Sequence, residues 1–448
     1  MYTLPKDTKI TNDILNKAIE YNEQFTKRYN ELEEYYLGKH KISNRVKENT
    51  DINNKIVVNH AKYITDTNVG YLLGNPVDYQ PSEEYDIQPL LDAYKKQTIN
   101  DLDTEIAKDI SKYGIQREYV YANEDSEPKS CEIDNRNCIL VYDDTVEHNK
   151  LFGLIYRKIM EGDKFSHYEI IYCDKEKIVN YESYDKTLTK KGTEKAHAFG
   201  DVPIIEYKNN SELLGDYEIV IDLIDAYNLL QSDRINDKEQ LVDAILCMYG
   251  MDFDQDQADM LKESRMLANI PMDGKVEYLI KQLNENEVDV LRKNIENDIH
   301  KISMVPNMSD VNFVGNSSGV AIRYKLLAFE QNIKNKERYM EKGLMERFKL
   351  YNHFLSVNSK MQEVPVEEVD IMFKRNLPSN DFEISQMINN LADFVDKETL
   401  ISQLSFIKDA SEIVEYKEEE DKLKDPLFEE NEIPDVNEGD INVEERAE

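Results

Sequence analysis

Tryptophan is absent from the 448-residue chain, cysteine occurs 4 times, and glycine and proline number only 15 and 12. With 32% charged residues, that composition describes a globular, soluble chain. Cys131, Cys138, Cys173 and Cys247 show no CxxC spacing and no histidine at a ligand-like interval, which excludes a zinc-finger pattern. They read as reduced, mostly buried thiols in a cytosolic setting. No run of 18 apolar residues exists, and the opening MYTLPKDTKITNDIL lacks the basic and apolar regions of a secretory signal. Export and membrane anchoring are therefore not expected.

Enzyme signatures are missing as well. The sequence contains no GxxxxGK[ST] phosphate loop, HExxH, GxSxG or GxGxxG. The nearest approach, Gly315-Asn-Ser-Ser-Gly319, lacks the lysine that a phosphate loop needs and reads as a connector capped at Ser317 or Ser318. The 7 histidines include no pair spaced i, i+3 or i+4, so His60 and His300 read as packing or surface residues. Carboxylate pairs carry no signal among 90 acids. No catalytic residue, metal or cofactor is expected, and the chain is not read as an enzyme.

Positive charge is the last shortage. Lys plus Arg is 55 and Asp plus Glu is 90, a formal net charge of -35. Firm binding to nucleic acid needs cations that displace counterions from phosphate, so such a chain surrounds DNA more readily than it grips it. Residues 412–448 hold 16 acids against Lys417, Lys422, Lys424 and Arg446, net -12, and beyond Lys424 there is too little apolar surface to pack, so disorder is expected there.

Length alone allows two to four domains or one elongated, multi-part subunit. Residues 12–37, 59–73 and 87–113 carry helical apolar stripes, stopped at Gly38, Gly74 and Gly114. A short strand follows Pro76, and the texture then becomes β over 116–122, 131–133, 138–142, 151–160, 168–172 and 202–207. Helical periodicity returns over 213–243, where Asp222, Asp225, Asp233 and Asp237 form an acidic stripe beside an apolar one. A solvated face is the commoner cause of such a stripe; a channel lining is the sharper reading. A compact insert comes next, with strands at 244–250 and 276–280 and a helix at 257–267, before a second helix over 284–303. Two struts thus carry a tip.

Pro306 breaks the second strut and releases a polar loop. From Gly319 the positions Ile322, Leu326, Phe329, Ile333, Met340, Leu344, Phe348, Tyr351 and Leu355 recur at steps of three, four or seven. About 37 residues at 1.5 Å each make a helix of roughly 55 Å, longer than a small domain is wide. Arg323, Lys325, Lys334, Lys336, Arg338, Lys342, Arg347 and Lys349 face Glu330, Glu337, Glu341 and Glu346, a local +4 that favours burial beside acidic partners, most simply other copies of the chain. Gly343 is read as a possible hinge in this helix. A strand at 369–374 and two shorter helices over 379–409 complete the pass.

Several stretches resemble the portal proteins of tailed double-stranded DNA bacteriophages, of the long non-contractile-tail type: NNKIVVNHAKYITDTNVGYLLGNPVDYQ at 53–80, ILVYDDT at 139–145, FGDVPIIEYKNN at 199–210 and NSSGVAIRYKLLAFEQ at 316–331. The resemblance implies an α+β subunit of a ring, typically of twelve copies, at one capsid vertex, with DNA passing through its channel during packaging and ejection. It divides the chain into a wing (1–211), stem helix 1 (212–243), a clip (244–283), stem helix 2 (284–305), a tunnel loop (306–318), a long helix (319–357), a wing return strand (358–378), a crown (379–424) and an acidic tail (425–448). It implies as partners the terminase large subunit, a head-completion adaptor, the scaffold, the major capsid protein and weakly held double-stranded DNA. The setting would be the virion, after assembly in the host cytoplasm. The tunnel loop would meet DNA through Asn307, Ser309, Asn312, Phe313, Asn316 and Ser317; it carries no Lys or Arg from 307 to 318, so steric and hydrogen-bonding contacts are expected. The rival readings are a metal-dependent soluble enzyme such as a nuclease, and a capsid-associated scaffold or adaptor without a channel.

Overall fold

The structure, a computed structural model, describes residues 1–47, 52–162, 164–184, 187–242, 245–250, 274–279, 285–308, 319–375, 381–392 and 394–401, with a few isolated positions beyond. Two compact units are present, 1–376 and 377–448. The fold is α+β. Within the first unit, β5 (Cys138–Asp143) is the central surface on which two layers meet. All six of its residues are buried, which is why CILVYD reads as an unbroken apolar run and not as an alternation.

A six-stranded sheet runs β1-β5-β6-β7-β8-β9, from β1 (Tyr2–Leu4) through β6 (Lys150–Glu161), β7 (Lys164–Cys173) and β8 (Lys177–Tyr184) to β9 (Thr187–Ala196). The first pairing is parallel and the rest antiparallel. Leu15, Ala18 and Ile19 of α1 (Asn12–Glu23) pack on one face of this sheet against Val141, Phe152, Leu154 and Ile170. The other face presents Cys138, Leu140, Tyr142 and Cys173 to Val202 and Ile204. A three-stranded sheet joins there, order β10-β3-β4, made of β3 (Ile115–Ala122), β4 (Pro128–Ile133) and β10 (Ile204–Lys208).

The larger core is helical. It gathers α2 (Thr26–Tyr36), α3 (His60–Leu73), α4 (Gln88–Lys96) and α5 (Ile99–Tyr113) around α8 (Gly319–Val357), through residues such as Leu32, Ile64, Leu90, Ile106, Ile333, Leu344 and Phe348. The expected helices over 12–37 and 87–113 are each two. The first breaks after Glu23, so that α1 lies on the sheet and α2 in the helical core. The second breaks at Thr98, a β-branched residue in the left-handed region at φ 50, while the adjacent Gln97 side chain ties Ser130 N and Tyr351 Oη together. At the end of α5, Gly114 takes φ +81 and its N–H returns to the Ile110 carbonyl, the arrangement a glycine C-cap provides.

After these layers the chain makes an excursion through α6 (Ile221–Val242), β11 (Ile245–Tyr249), β12 (Lys275–Leu279) and α7 (Glu285–Ser303). The two strands form an antiparallel pair, Ile245 opposite Leu279. The helix expected over 257–267 lies outside the described residues. α6 begins eight residues later than its apolar pattern suggests, since Leu213 sits at φ 59 and a 3-10 turn occupies Glu218–Val220. After α8, β13 (Val369–Met372) pairs antiparallel with β2 (Asp78–Pro81), so the chain closes on a strand nearly three hundred residues earlier. In the second unit, α9 (Asp381–Leu391) and α10 (Lys397–Ile401) are described, with Asp396 Oδ1 accepting from Thr399 N at 2.8 Å at the start of the latter. Among the described residues no helix is long and apolar enough to cross a membrane.

Candidate functional site

The excursion through α6 and α7 is rooted in the body by polar contacts that the sequence reading missed. Asn228, Ser232 and Asn236 recur every four residues on α6 and are 0%, 0% and 1% exposed. Their oxygens accept from the backbone N–H of Val58 (2.8 Å), Ile56 (2.9 Å) and Asn54 (2.7 Å). Four residues of helix rise about 6 Å, and two residues of extended chain about 6.6 Å. The two repeats are nearly commensurate, so one helix face clasps alternate amides of the 54–58 segment. Amides of a half-buried segment that forms neither helix nor strand are satisfied in this way.

The acidic stripe divides. Asp225 accepts from Tyr35 Oη at 2.8 Å with both oxygens and lies 3.2 Å from Lys41 Nζ. Asp233 Oδ1 accepts from Arg45 Nη2 (2.7 Å) and Lys47 Nζ (3.0 Å). Burial opposes ionisation at Asp233, but the hydrogen bonds from Lys47, Arg45 and Asn236 prevail and hold its carboxyl below the usual range. Asp237 is half-buried, and Asp222 is exposed. Asp225 and Asp233 are therefore committed to cations of the same chain.

α6 and α7 run antiparallel: Arg234 pairs with Glu285, Arg292 Nη1 lies 3.4 Å from Tyr227 Oη, and Ile224 and Ile299 are both fully buried. At their root the His60 ring of α3 meets Tyr227 edge-on (centroids 4.9 Å) and His300 edge-on (5.8 Å). Both histidines are packing residues, as their scattered spacing suggests. Burial pushes His60 down to about 4, with His300 acting in the same direction, and its Nε2 has no partner. Asn307, expected on the loop, turns its Nδ2 to Glu296 Oε1 at 3.1 Å. Ser309, Asn312, Phe313, Asn316 and Ser317 lie outside the described residues.

On α8, two of the cations assigned to neighbouring copies find acids in their own chain instead. Arg347, fully buried, donates through Nε and Nη2 to Glu118 and through Nη1 to Asp103. Lys336, 4% exposed, pairs with Asp216, which also accepts from Asn68 (2.7 Å), Ser111 (2.6 Å) and Asn209 (2.7 Å). The correction has a simple cause. Positions 336 and 347 fall on the same heptad stripe as Phe329, Ile333, Met340 and Leu344, and that stripe faces inward. Gly343 lies on it too, inside an unbroken helix, where a Cβ would stand 2.3 Å from the Tyr207 ring. The glycine lets that ring approach, and the Tyr207 hydroxyl completes the Glu118 shell at 2.6 Å. Close approach is thus reason enough for a glycine here without any bend.

Cys138 and Cys173 are buried and Cys131 and Cys247 half-buried; burial raises the Cys131 thiol to about 11 and the Cys138 thiol to about 12, far from the reactive thiolate range. Among the described residues, one group of ligand-type side chains converges, His167, Glu169 and Glu182. Arg157 Nε already donates to Glu169 at 2.7 Å and Lys191 Nζ to Glu182 at 2.5 Å, which makes it an ion-pair lattice on a sheet surface.

The architecture consists of a packed body, an excursion of two helices carrying a paired-strand tip, and a long helix that organises the core. Residues 15–425 match the family described as "Phage portal protein, SPP1 Gp6-like", and the chain belongs to that family. It is 25% identical over 395 residues to the portal protein of Bacillus phage SPP1, covering 83% of this chain and 77% of that one. It is also 20% identical over 239 residues to the portal protein of Clostridium phage phiCD119, covering 51% of this chain and 50% of that relative.

Proposed function

We propose that this phage portal protein forms the ring-shaped DNA channel at one capsid vertex, through which the genome is packaged and later ejected, and that it is the platform on which head and tail join. The observation that carries the reading is the family match over 15–425, a range that includes body, excursion, loop and long helix. The parts follow from it. The 1–211 region with the 358–378 return is the wing; α6 and α7 are the stem; 244–283 is the clip, facing first the terminase large subunit and then the head-completion adaptor; 306–318 is the tunnel loop; 379–424 is the crown. A homododecamer built on the scaffold and the major capsid protein is the expected assembly, carried in the virion after formation in the host cytoplasm. The subunit's work is mechanical, and hydrolysis belongs to the terminase.

A net charge of -35 supports a channel that encloses DNA without holding it, with Asp222 as the exposed acid of the stem stripe. A loop that is free of Lys and Arg between 307 and 318 fits the same role, a low-friction gasket touching the duplex through Asn, Ser and Phe313. Mass photometry followed by negative-stain imaging tests the proposal. Rings with a central hole are expected; a stable monomer under assembly conditions defeats the ring. For the gasket, cryo-EM of a filled head should place 309–317 against the duplex, and a loop held well away from it would refute that role.

A further inference from the structure

The chain leaves α7 through a short stretch, residues 304–308, that is pinned more firmly than a connector requires. Met304 takes the left-handed conformation at φ 57, which a non-glycine residue adopts only under constraint. His300 Nδ1 then donates to the Val305 carbonyl at 3.0 Å, closing the end of the helix. Asn307 reaches back to Glu296 at 3.1 Å. The remaining tie comes from outside the stem. Tyr63, on α3, donates its hydroxyl to the Pro306 carbonyl at 2.8 Å and accepts from the Met308 N–H at 3.1 Å. Its ring meets His300 edge-on, centroids 5.6 Å apart at 88°.

One hydroxyl therefore fixes both an acceptor and a donor on the same short backbone stretch, immediately before residue 309. Packing needs only the ring; the hydroxyl adds orientation. We infer that Tyr63 is a positioning residue for the portal's DNA-facing segment: it fixes to α3 the point from which that segment leaves the stem. The inference rests on the portal reading for its functional half. Its structural half, the hold of Tyr63 on 305–308, stands independently.

Tyr63→Phe tests it, since the ring and its contact with His300 remain and only the hydroxyl is lost. In the full-length protein, hydrogen exchange at the Met308 amide should quicken about 5- to 10-fold, the factor a single hydrogen bond supports. Ring formation by mass photometry should be unchanged and the melting temperature should stay within about 2 °C, as a single half-exposed hydrogen bond allows. In particles assembled with the variant, the fraction carrying a full genome should fall several-fold. Tyr71→Phe, which removes a hydroxyl of the same helix that donates to Glu330 and leaves that of Tyr63 in place, should keep Met308 exchange within about twofold of wild type and packaging close to it. Unchanged Met308 exchange in Tyr63→Phe overturns the inference, as does faster exchange with wild-type packaging, or an equal packaging loss in both variants. Should the wild-type chain form no ring, the portal reading fails, and the exchange comparison still decides whether Tyr63 holds the stretch.

Discussion

Removing either partner of the Lys336–Asp216 pair should be costly, and the two removals should be unequal. Both side chains are nearly inaccessible, at 6% and 5% exposure, so a survivor without its partner cannot turn to water. Breaking a buried ion pair by deleting one member costs about 3–5 kcal/mol. After Lys336→Met the Asp216 carboxylate keeps three donors, Asn68, Ser111 and Asn209, which places this variant near the lower end. After Asp216→Asn the ammonium loses its countercharge and keeps only neutral oxygens, Asn209 Oδ1 at 2.7 Å and that of the new amide, whose NH2 is then set against the donors of Asn68 and Ser111. That variant belongs near the upper end. For a unit of 376 residues, these costs correspond to a fall in melting temperature of about 4–6 °C, at a specific unfolding entropy of about 2.1 cal/mol/K per residue. A second signature follows from the lysine. Burial already lowers Lys336 despite Asp216, and without that acid it falls further. A lysine whose folded pKa lies below its unfolded one binds fewer protons when folded, so Asp216→Asn should gain stability as pH rises through the folded value toward 10.5. Thermal melts from pH 7 to 10 measure both effects. Equal losses in the two variants, or a flat pH response in Asp216→Asn, would refute the reasoning.

Two further outcomes are expected. Gly343→Ala should lower the melting temperature even though alanine is the better helix former by about 1 kcal/mol, because its Cβ would stand 2.3 Å from the Tyr207 ring and overpacking costs about 1–3 kcal/mol; a stabilised variant would show that the ring yields freely. Stability should also fall below neutral pH. His60, depressed to about 4 and facing Tyr227, His300, Glu296 and His40, is neutral when folded, so the stability it carries is present above pH 6.5 and is lost as pH drops toward 4, by about 3 kcal/mol at full extent. His60→Phe should flatten that acid limb in pH-dependent melts, and an unaltered limb would assign it to other groups.

The legible parts of the fold are those dense in apolar residues. These recur as a stripe along α8 and the helices flanking the tip, and they run unbroken through β5, which is buried on both faces. β9 is hidden because it is an edge strand on which Leu188 alone among ten residues is buried, so TLTKKGTEKA has no alternation to read. The breaks after Glu23 and at Thr98 left no mark either, because each half continues the same apolar spacing and only the layers it packs against differ. At the candidate site the signal existed but was read one face too far. Asp222, Asp225, Asp233 and Asp237 are the conspicuous pattern, whereas the neighbouring Asn228, Ser232 and Asn236, small and polar at a strict four-residue step, form the buried clasp. Lys336 and Arg347 were visible as cations, and their places on the apolar heptad stripe already implied burial within the chain.

The clasp between α6 and the 54–58 segment has a mechanical consequence. Its three bonds lie side by side along the helix, each a side-chain oxygen to a backbone amide. A pull along the axis of α6 would load all three at once, in shear, and the helix could not slip by one residue without losing every one. A sideways peel would break them in turn. The root of α6 is accordingly stiff to thrust along its length and compliant to bending, a directional bearing built from two asparagines and a serine.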